Sequence, residues 1–270
     1  MPARSPLPEQ AGQHSFRSKH QDRTTTGPRA DTSRPMTDMR AIIFDFDGVI
    51  ADTEPLHFAA LQRVLADIGI TLTETAYYAD YLGFDDRGCF MAALQTNQRP
   101  ITPQLLKDLM TRKATAYLAA VKQRLVIFPG VRELVHEAAD RYRLAIASGA
   151  LRPEIELILE EAGIRKQFRQ ITSAEDVSRG KPAPDPFLHA LEGLNRAEGN
   201  GALQAKDCLV IEDSLPGIRA ARSAGMKVLA VANTHTVQDL GEADAITHSL
   251  AETSLDELRQ RLWRTADHRP

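Results

Sequence analysis

The sequence is short of several things. Among its 270 residues there are two cysteines, Cys89 and Cys208, far apart and in neither a metal-ligand nor a redox spacing. This excludes a disulfide framework and points to a reducing, cytoplasmic setting, with Cys208 expected as one buried thiol inside the apolar run CLVIE. No apolar stretch approaches the ~20 residues needed to span a bilayer. There is no basic excess either: 33 Lys and Arg against 36 Asp and Glu leave a net charge of -3. The chain therefore lacks the electrostatic footprint for nucleic acid or an anionic membrane, and small molecules remain as partners. No internal repeat suggests an array, and a monomer or weak homodimer is expected.

The first 38 residues are nearly empty of aliphatic side chains and rich in Arg, Ser, Thr and Pro. Such a segment cannot bury enough surface to offset its ordering entropy, so 1–38 is predicted to be a disordered tail. It has no apolar core of a secretory signal, and Glu9, Asp22, Asp31 and Asp38 do not suit a transit peptide. Met36 or Met39, just ahead of the first apolar run, is a candidate translation start.

What the chain does have is 43% hydrophobic residues and a regular alternation of patterns. Short apolar runs bounded by turn residues lie at 41–47, 143–149, 170–176, 207–213, 227–233 and 244–249. Helical patterns at 131–142, 152–164, 185–194 and 216–226 separate the later ones, with Gly163 and Gly225 as helix stops. Strand and helix in alternation predict an α/β fold with a doubly wound, parallel, Rossmann-like sheet. Residues 55–127 break the rhythm: helical patterns at 56–69, 74–82, 87–97 and 103–123 contain no convincing strand. They predict a four-helix cap domain inserted in a core made of 39–54 and 128–265, with hinges near Glu54 and near Pro129 and Gly130.

In an open parallel sheet, ligands bind beyond the C-terminal ends of the strands. Asp45 and Asp47 end the first predicted strand, Ser148 and Gly149 another, and Glu212 and Asp213 a third, while Lys181 sits in the stiff loop RGKPAPDP. Taken singly, each has a structural explanation as a capped turn, a helix start or a solvated lysine. Taken together they suit phosphoryl transfer. Clustered carboxylates repel one another unless a hard cation such as Mg²⁺ lies among them. A hydroxyl, backbone N–H groups and a lysine neutralise phosphoryl oxygens. One aspartate can attack phosphorus while its neighbour but one moves the proton.

The stretches DFDGVIADT, ASG, GKPAPDP and IEDSLPGIRAARSAGM resemble, in order, the four motifs of the haloacid dehalogenase-like hydrolases. The resemblance is to the small-helical-cap branch of phosphoglycolate phosphatase and β-phosphoglucomutase type. It implies Asp45 as nucleophile and Asp47 as general acid and base, with Ser148, Gly149 and Lys181 binding phosphate. It also implies Mg²⁺ held by Asp45, the backbone carbonyl of Asp47 and Asp213, with Glu212 at or near the metal. His57, Arg87 and Lys113 are similar to substrate-facing positions in related sugar-phosphate enzymes. The implied function is a Mg²⁺-dependent phosphatase acting on a sugar phosphate or phosphoglycolate through an aspartyl-phosphate. The alternative is a β-phosphoglucomutase-like mutase. Against it, GALRPE follows Ser148 where mutases resemble one another in a polar Ser-x-Ser-Lys-Asn run, although Arg152 could supply part of that second phosphate grip.

Overall fold

Six parallel strands, β1 (Ala41–Phe44), β2 (Arg143–Ala147), β3 (Phe168–Thr172), β4 (Cys208–Glu212), β5 (Lys227–Val231) and β6 (Ala245–Thr247), pair in the order β3-β2-β1-β4-β5-β6. They belong to a computed structural model that describes residues 38–81, 84–196 and 202–263. The expected tail, save for Asp38, lies outside the described residues. Asp38 itself is held, its Oδ1 accepting from Arg259 Nε at 2.7 Å.

The strands are continuous apolar runs because both faces of the sheet are covered. Ile42 and Phe44 of β1 pack with α5 (Val131–Ala139), α6 (Arg152–Glu161) and α9 (Leu255–Trp263). Ala41 and Ile43 pack on the other side with α7 (Asp185–Arg196) and α8 (Leu215–Ser223). This is the doubly wound α/β arrangement expected. Five strands are shorter than the apolar runs that announced them, because the polar residues at their ends leave the ladder; β3 begins two residues before its predicted run, and residues 174–176 of that run form a helical turn instead. Helix α9 was not anticipated. Its Leu255, Leu258 and Trp263 supply the apolar face, and Trp263 Nε1 donates to the Lys206 carbonyl at 2.8 Å.

Register brings the chemistry to one edge. Phe44 pairs with Ile146 of β2 and with Ile211 of β4, so the three strands end at nearly the same level. The residues that follow them meet although they are far apart in sequence.

Between β1 and β2 lie α1 (Glu54–Ala66), α2 (Glu74–Asp80), α3 (Asp86–Thr96) and α4 (Pro103–Arg124). The starts of α2, α3 and α4 carry side-chain caps: Thr73 accepts from the Ala76 amide, Asp85 from Gly88, and Thr102 from Leu105 with Pro103 as the first helical residue. Leu61, Leu65, Phe90, Leu94, Leu106 and Leu109 form a separate hydrophobic cluster. Tyr117 and Val121, farther along α4, join the cluster under the sheet instead. The outgoing and returning chains run side by side, with the Asp52 amide donating to Val126 and the Phe128 amide to Ile50. Both cysteines are buried free thiols, which corrects the expectation of one: Cys89 packs inside the helical insertion. Among the described residues no helix is long and apolar enough to cross a membrane.

Candidate active site

The Asp45 amide donates to the Ile211 carbonyl at 2.9 Å, carrying the β1–β4 pairing one residue past the strand. Its carboxylate is thereby delivered to the sheet edge, while Phe46 turns into the core and Asp47 emerges beyond it. Gly48 follows with φ +79°. A Cβ there would stand 2.0 Å from Asp213 Oδ2, so the close approach of the two loops requires glycine as much as the backbone angle does. Asn233 Nδ2 donates to the Gly48 carbonyl at 2.8 Å and fixes this turn from the end of β5.

At the end of β4, Glu212 is completely buried and fully engaged. Its Oε2 accepts from the amides of Asp213 and Ser214, each at 2.7 Å, and from Ser214 Oγ at 2.9 Å. Its Oε1 accepts from Lys181 Nζ at 2.7 Å. Lys181 Nζ is also 2.5 Å from Asp45 Oδ1, so one ammonium ties two strand ends together. Gly217, in the first turn of α8, leaves room for this carboxylate; a Cβ there would be 1.6 Å from Glu212 Oε1. Asp213 accepts from Thr234 Oγ1.

Asp45, Glu212 and Asp213 each offer a carboxylate oxygen within 4.8 Å of the others. Burial raises the Asp45 carboxyl well above the usual range, with Glu212 and Asp213 adding to the effect and Lys181 opposing it. Burial and Glu212 push Asp213 up to about 6. Burial alone would lower Lys181, but Asp45 and Glu212 outweigh it and hold the ammonium above its ordinary value. Three buried carboxylates with one lysine form a site short of positive charge, and the donor set is all oxygen. It fits a hard divalent cation. The Asp47 side chain is outside this group; its Oδ1 accepts from Thr53 Oγ1 at 2.6 Å. Burial raises the Asp47 carboxyl as well, which favours a bound proton.

Ser148 follows β2, its amide donating to the Thr172 carbonyl and its Oγ accepting from the Ala150 amide at 2.9 Å. Nothing lies within 4 Å of where a Cβ on Gly149 would stand, so space beside its backbone is open.

A cavity of about 490 Å³ opens next to Asp47 and Gly149 and extends under the helical insertion. Lys113 is 1% exposed there, in phase with Leu106, Leu109, Tyr117 and Val121 on the buried stripe of α4. Its Nζ lies 2.7 Å from Asp86 Oδ1, 2.7 Å from His57 Nδ1 and 4.8 Å from the centre of the Tyr117 ring. Burial and the neighbouring Lys113 push His57 down to about 3, so its imidazole is neutral and accepts at Nδ1. Arg87 is exposed at the rim. Glu54, which accepts from Tyr77, and Glu154 complete the wall, and burial raises both carboxyls.

Arg152 is placed elsewhere. It is held by Asp176 at 2.6 Å and the Ile171 carbonyl at 3.0 Å, and it does not line the cavity. Thr53, Asp86, Glu154, Asn233 and Thr234 carry no site signal in the sequence, and Glu54 stands out there only as a hinge position. Thr53 closes the first quoted motif and Asp86 adjoins Arg87, but nothing in the sequence shows what either side chain faces.

Residues 42–231 match the haloacid dehalogenase-like hydrolase family. The chain is 31% identical over 231 residues to a phosphorylated carbohydrates phosphatase of Thermotoga maritima, covering 83% of this chain and all of that protein. It is 32% identical to protein CbbY of Cupriavidus necator over 74% of this chain and 81% of that one. A crystal structure of a CbbY mutant from Rhodobacter sphaeroides in complex with xylulose-(1,5)bisphosphate superposes with a TM-score of 0.68 at 26% identity, covering 79% of this chain and 96% of that one.

Proposed function

The chain belongs to the haloacid dehalogenase-like hydrolases, and from that premise we propose that it is a Mg²⁺-dependent phosphatase of a small phosphorylated metabolite, of sugar phosphate or phosphoglycolate type. The observation that carries this reading is the buried group Asp45, Glu212 and Asp213 at one sheet edge, with Lys181 bridging Asp45 and Glu212. The relatives named for phosphorylated carbohydrates support the substrate class.

In this reading Asp45 attacks phosphorus as the ester P–O bond breaks, and Asp47 gives its proton to the departing alkoxide oxygen. Asp47, now ionised, takes a proton from water as the water oxygen attacks phosphorus. The bond from phosphorus to Asp45 breaks, and inorganic phosphate leaves. Ser148, the Gly149 backbone and Lys181 hold the phosphoryl oxygens. Asp45, Asp213 and the Asp47 carbonyl would hold Mg²⁺, with Glu212 behind them fixing Lys181. Bound there, the ion offsets the charge of carboxylates and phosphoryl group. The segment 55–127 acts as a cap that excludes water, bending where the chains cross at 50–54 and 126–130. His57, Arg87 and Lys113 face the leaving group. The buried thiols suit the cytoplasm, and a monomer or weak homodimer suffices, since the site is built within one chain.

The mutase alternative is disfavoured because Arg152, the residue available for a second phosphate grip, is committed to Asp176. A screen of phosphorylated metabolites, with Mg²⁺ and with chelator, tests the proposal. Steady phosphate release that needs Mg²⁺ and is lost in Asp45→Asn is expected. Undiminished hydrolysis in metal-free buffer would overturn it, and isomerisation of glucose 1-phosphate primed by a bisphosphate would put the mutase in its place.

A further inference from the structure

We infer that the loop after β5 is a positioning element for the cation: Thr234, itself held by His235, fixes the Asp213 carboxylate, and Asn233 fixes the Gly48 turn directly after Asp47. The inference rests on the Mg²⁺-dependent reading above and extends it to residues outside the four sequence motifs.

Strand pairing brings the loop there. β5 lies beside β4 with Glu212 opposite Ala230, so the residues after Val231 leave the sheet at the edge where Asp213 stands. Asn233 Nδ2 donates to the Gly48 carbonyl at 2.8 Å, and Thr234 Oγ1 donates to Asp213 Oδ2. Two adjacent residues thereby hold both segments that carry the expected cation ligands, the first through its backbone and the second through its side chain.

Counting hydrogens gives the chain of bonds its direction. A hydroxyl has one hydrogen, and a carboxylate that binds a cation is ionised and can only accept. The Thr234 hydrogen therefore belongs to Asp213, and His235 Nδ1, 2.9 Å from the same hydroxyl oxygen, must be a donor. The donations run from His235 to Thr234 to Asp213 and end on Oδ2, while Asp213 Oδ1 has no hydrogen-bond partner among the described residues. One carboxylate oxygen is spent on orientation and the other is available. Carboxylates that ligate metals are commonly held in this way, and loss of the holding group typically costs ~10–100-fold in metal affinity. A packing role does not account for the contact, because Thr234 and His235 are both exposed.

The test is Mn²⁺ binding to the substrate-free protein, read from loss of the free-ion electron paramagnetic resonance signal, together with phosphate release at varied Mg²⁺. The proteins compared are the wild type, Thr234→Val, Thr234→Ser and His235→Ala. Thr234→Val keeps the shape and removes the hydroxyl, so it should weaken Mn²⁺ binding ~10-fold and shift the Mg²⁺ dependence of phosphate release by the same factor, with activity recovering as Mg²⁺ is raised. Thr234→Ser restores the donor and should bind Mn²⁺ within about two-fold of the wild type, while His235→Ala should lose about three-fold. A general loss of folded protein would be rescued neither by serine nor by added Mg²⁺. Mn²⁺ affinity unchanged in Thr234→Val, or weakened equally in Thr234→Ser, would overturn the inference and leave the phosphatase reading standing. Unchanged affinity in His235→Ala would overturn the part assigned to the imidazole. A wild-type protein that binds no Mn²⁺ and releases phosphate undiminished in chelator would overturn both the inference and the Mg²⁺-dependent reading.

Discussion

Gly48 leaves no room beside Asp213: a Cβ built on it would meet Oδ2 at 2.0 Å, with the backbone at φ +79°. The first and last motifs of the site are therefore in contact through a missing side chain. Gly48→Ala should displace Asp213 and strain the turn. Since a shift of about 1 Å in such a constellation can cost ~10²-fold, phosphate release should fall by that order. Circular dichroism should show the fold retained, and phosphate release should need a higher Mg²⁺ concentration to reach half its maximum.

Lys181→Met tests the charge balance. Without the ammonium, Asp45 and Glu212 lose their shared partner, and breaking a buried pair typically costs about 3–5 kcal/mol. The loss should grow with pH. The Asp45 carboxyl is raised in the folded state, so the protonated form is favoured there, and that stabilisation is present in acid and fades as the pH rises. Urea unfolding of the metal-free variant at pH 5 and pH 8 should show the larger deficit at pH 8.

His57 should make the protein sensitive to acid. Its folded value is about 3 against an ordinary 6.5, so between those limits the unfolded chain binds a proton that the folded chain refuses. Its contribution is complete above 6.5 and declines by about 1.4 kcal/mol per pH unit as pH falls towards 3. His57→Asn, which keeps an acceptor for Lys113, should flatten the stability profile over that window.

Arg152→Ala should leave KM for the preferred substrate within about two-fold. Its guanidinium is half-exposed and tied to Asp176, so a stability loss of at most about 1 kcal/mol is expected. A ten-fold rise in KM would return Arg152 to the substrate site.

Asp45, Asp47, Ser148, Gly149, Glu212 and Asp213 were legible as sequence because each ends or follows an apolar run, and parallel topology sends such residues to one edge; Lys181 was legible instead from its stiff Pro-rich loop. The four inserted helices were legible for a related reason, their apolar spacing being local. Lys113 is a mixed case. The resemblance marks it as substrate-facing, and its spacing from Leu109 and Tyr117 places it on the buried stripe of α4, but only the fold shows that Asp86 and His57 enclose it. Helix α9 was missed although its apolar residues recur at helical spacing.

Other relationships have no local signature. That Glu212 spends both oxygens on Lys181 and the start of α8, that Thr53 holds Asp47, and that Asn233 and Thr234 reach back to Gly48 and Asp213 all depend on contacts between distant segments. The acidic lining of the cavity is of the same kind, since Glu54, Asp86 and Glu154 come from three different helices.

Periodicity and motif spacing are properties of neighbouring residues, and they suffice for the alternation of strands and helices up to β6, for the residues delivered to the sheet edge and for the family. Which carboxylates share the Lys181 ammonium, which are already satisfied, and what a leaving group would meet come from the packed chain. Those depend on distances between segments brought together by packing, and charge interactions in a buried site change steeply with distance and with access to water.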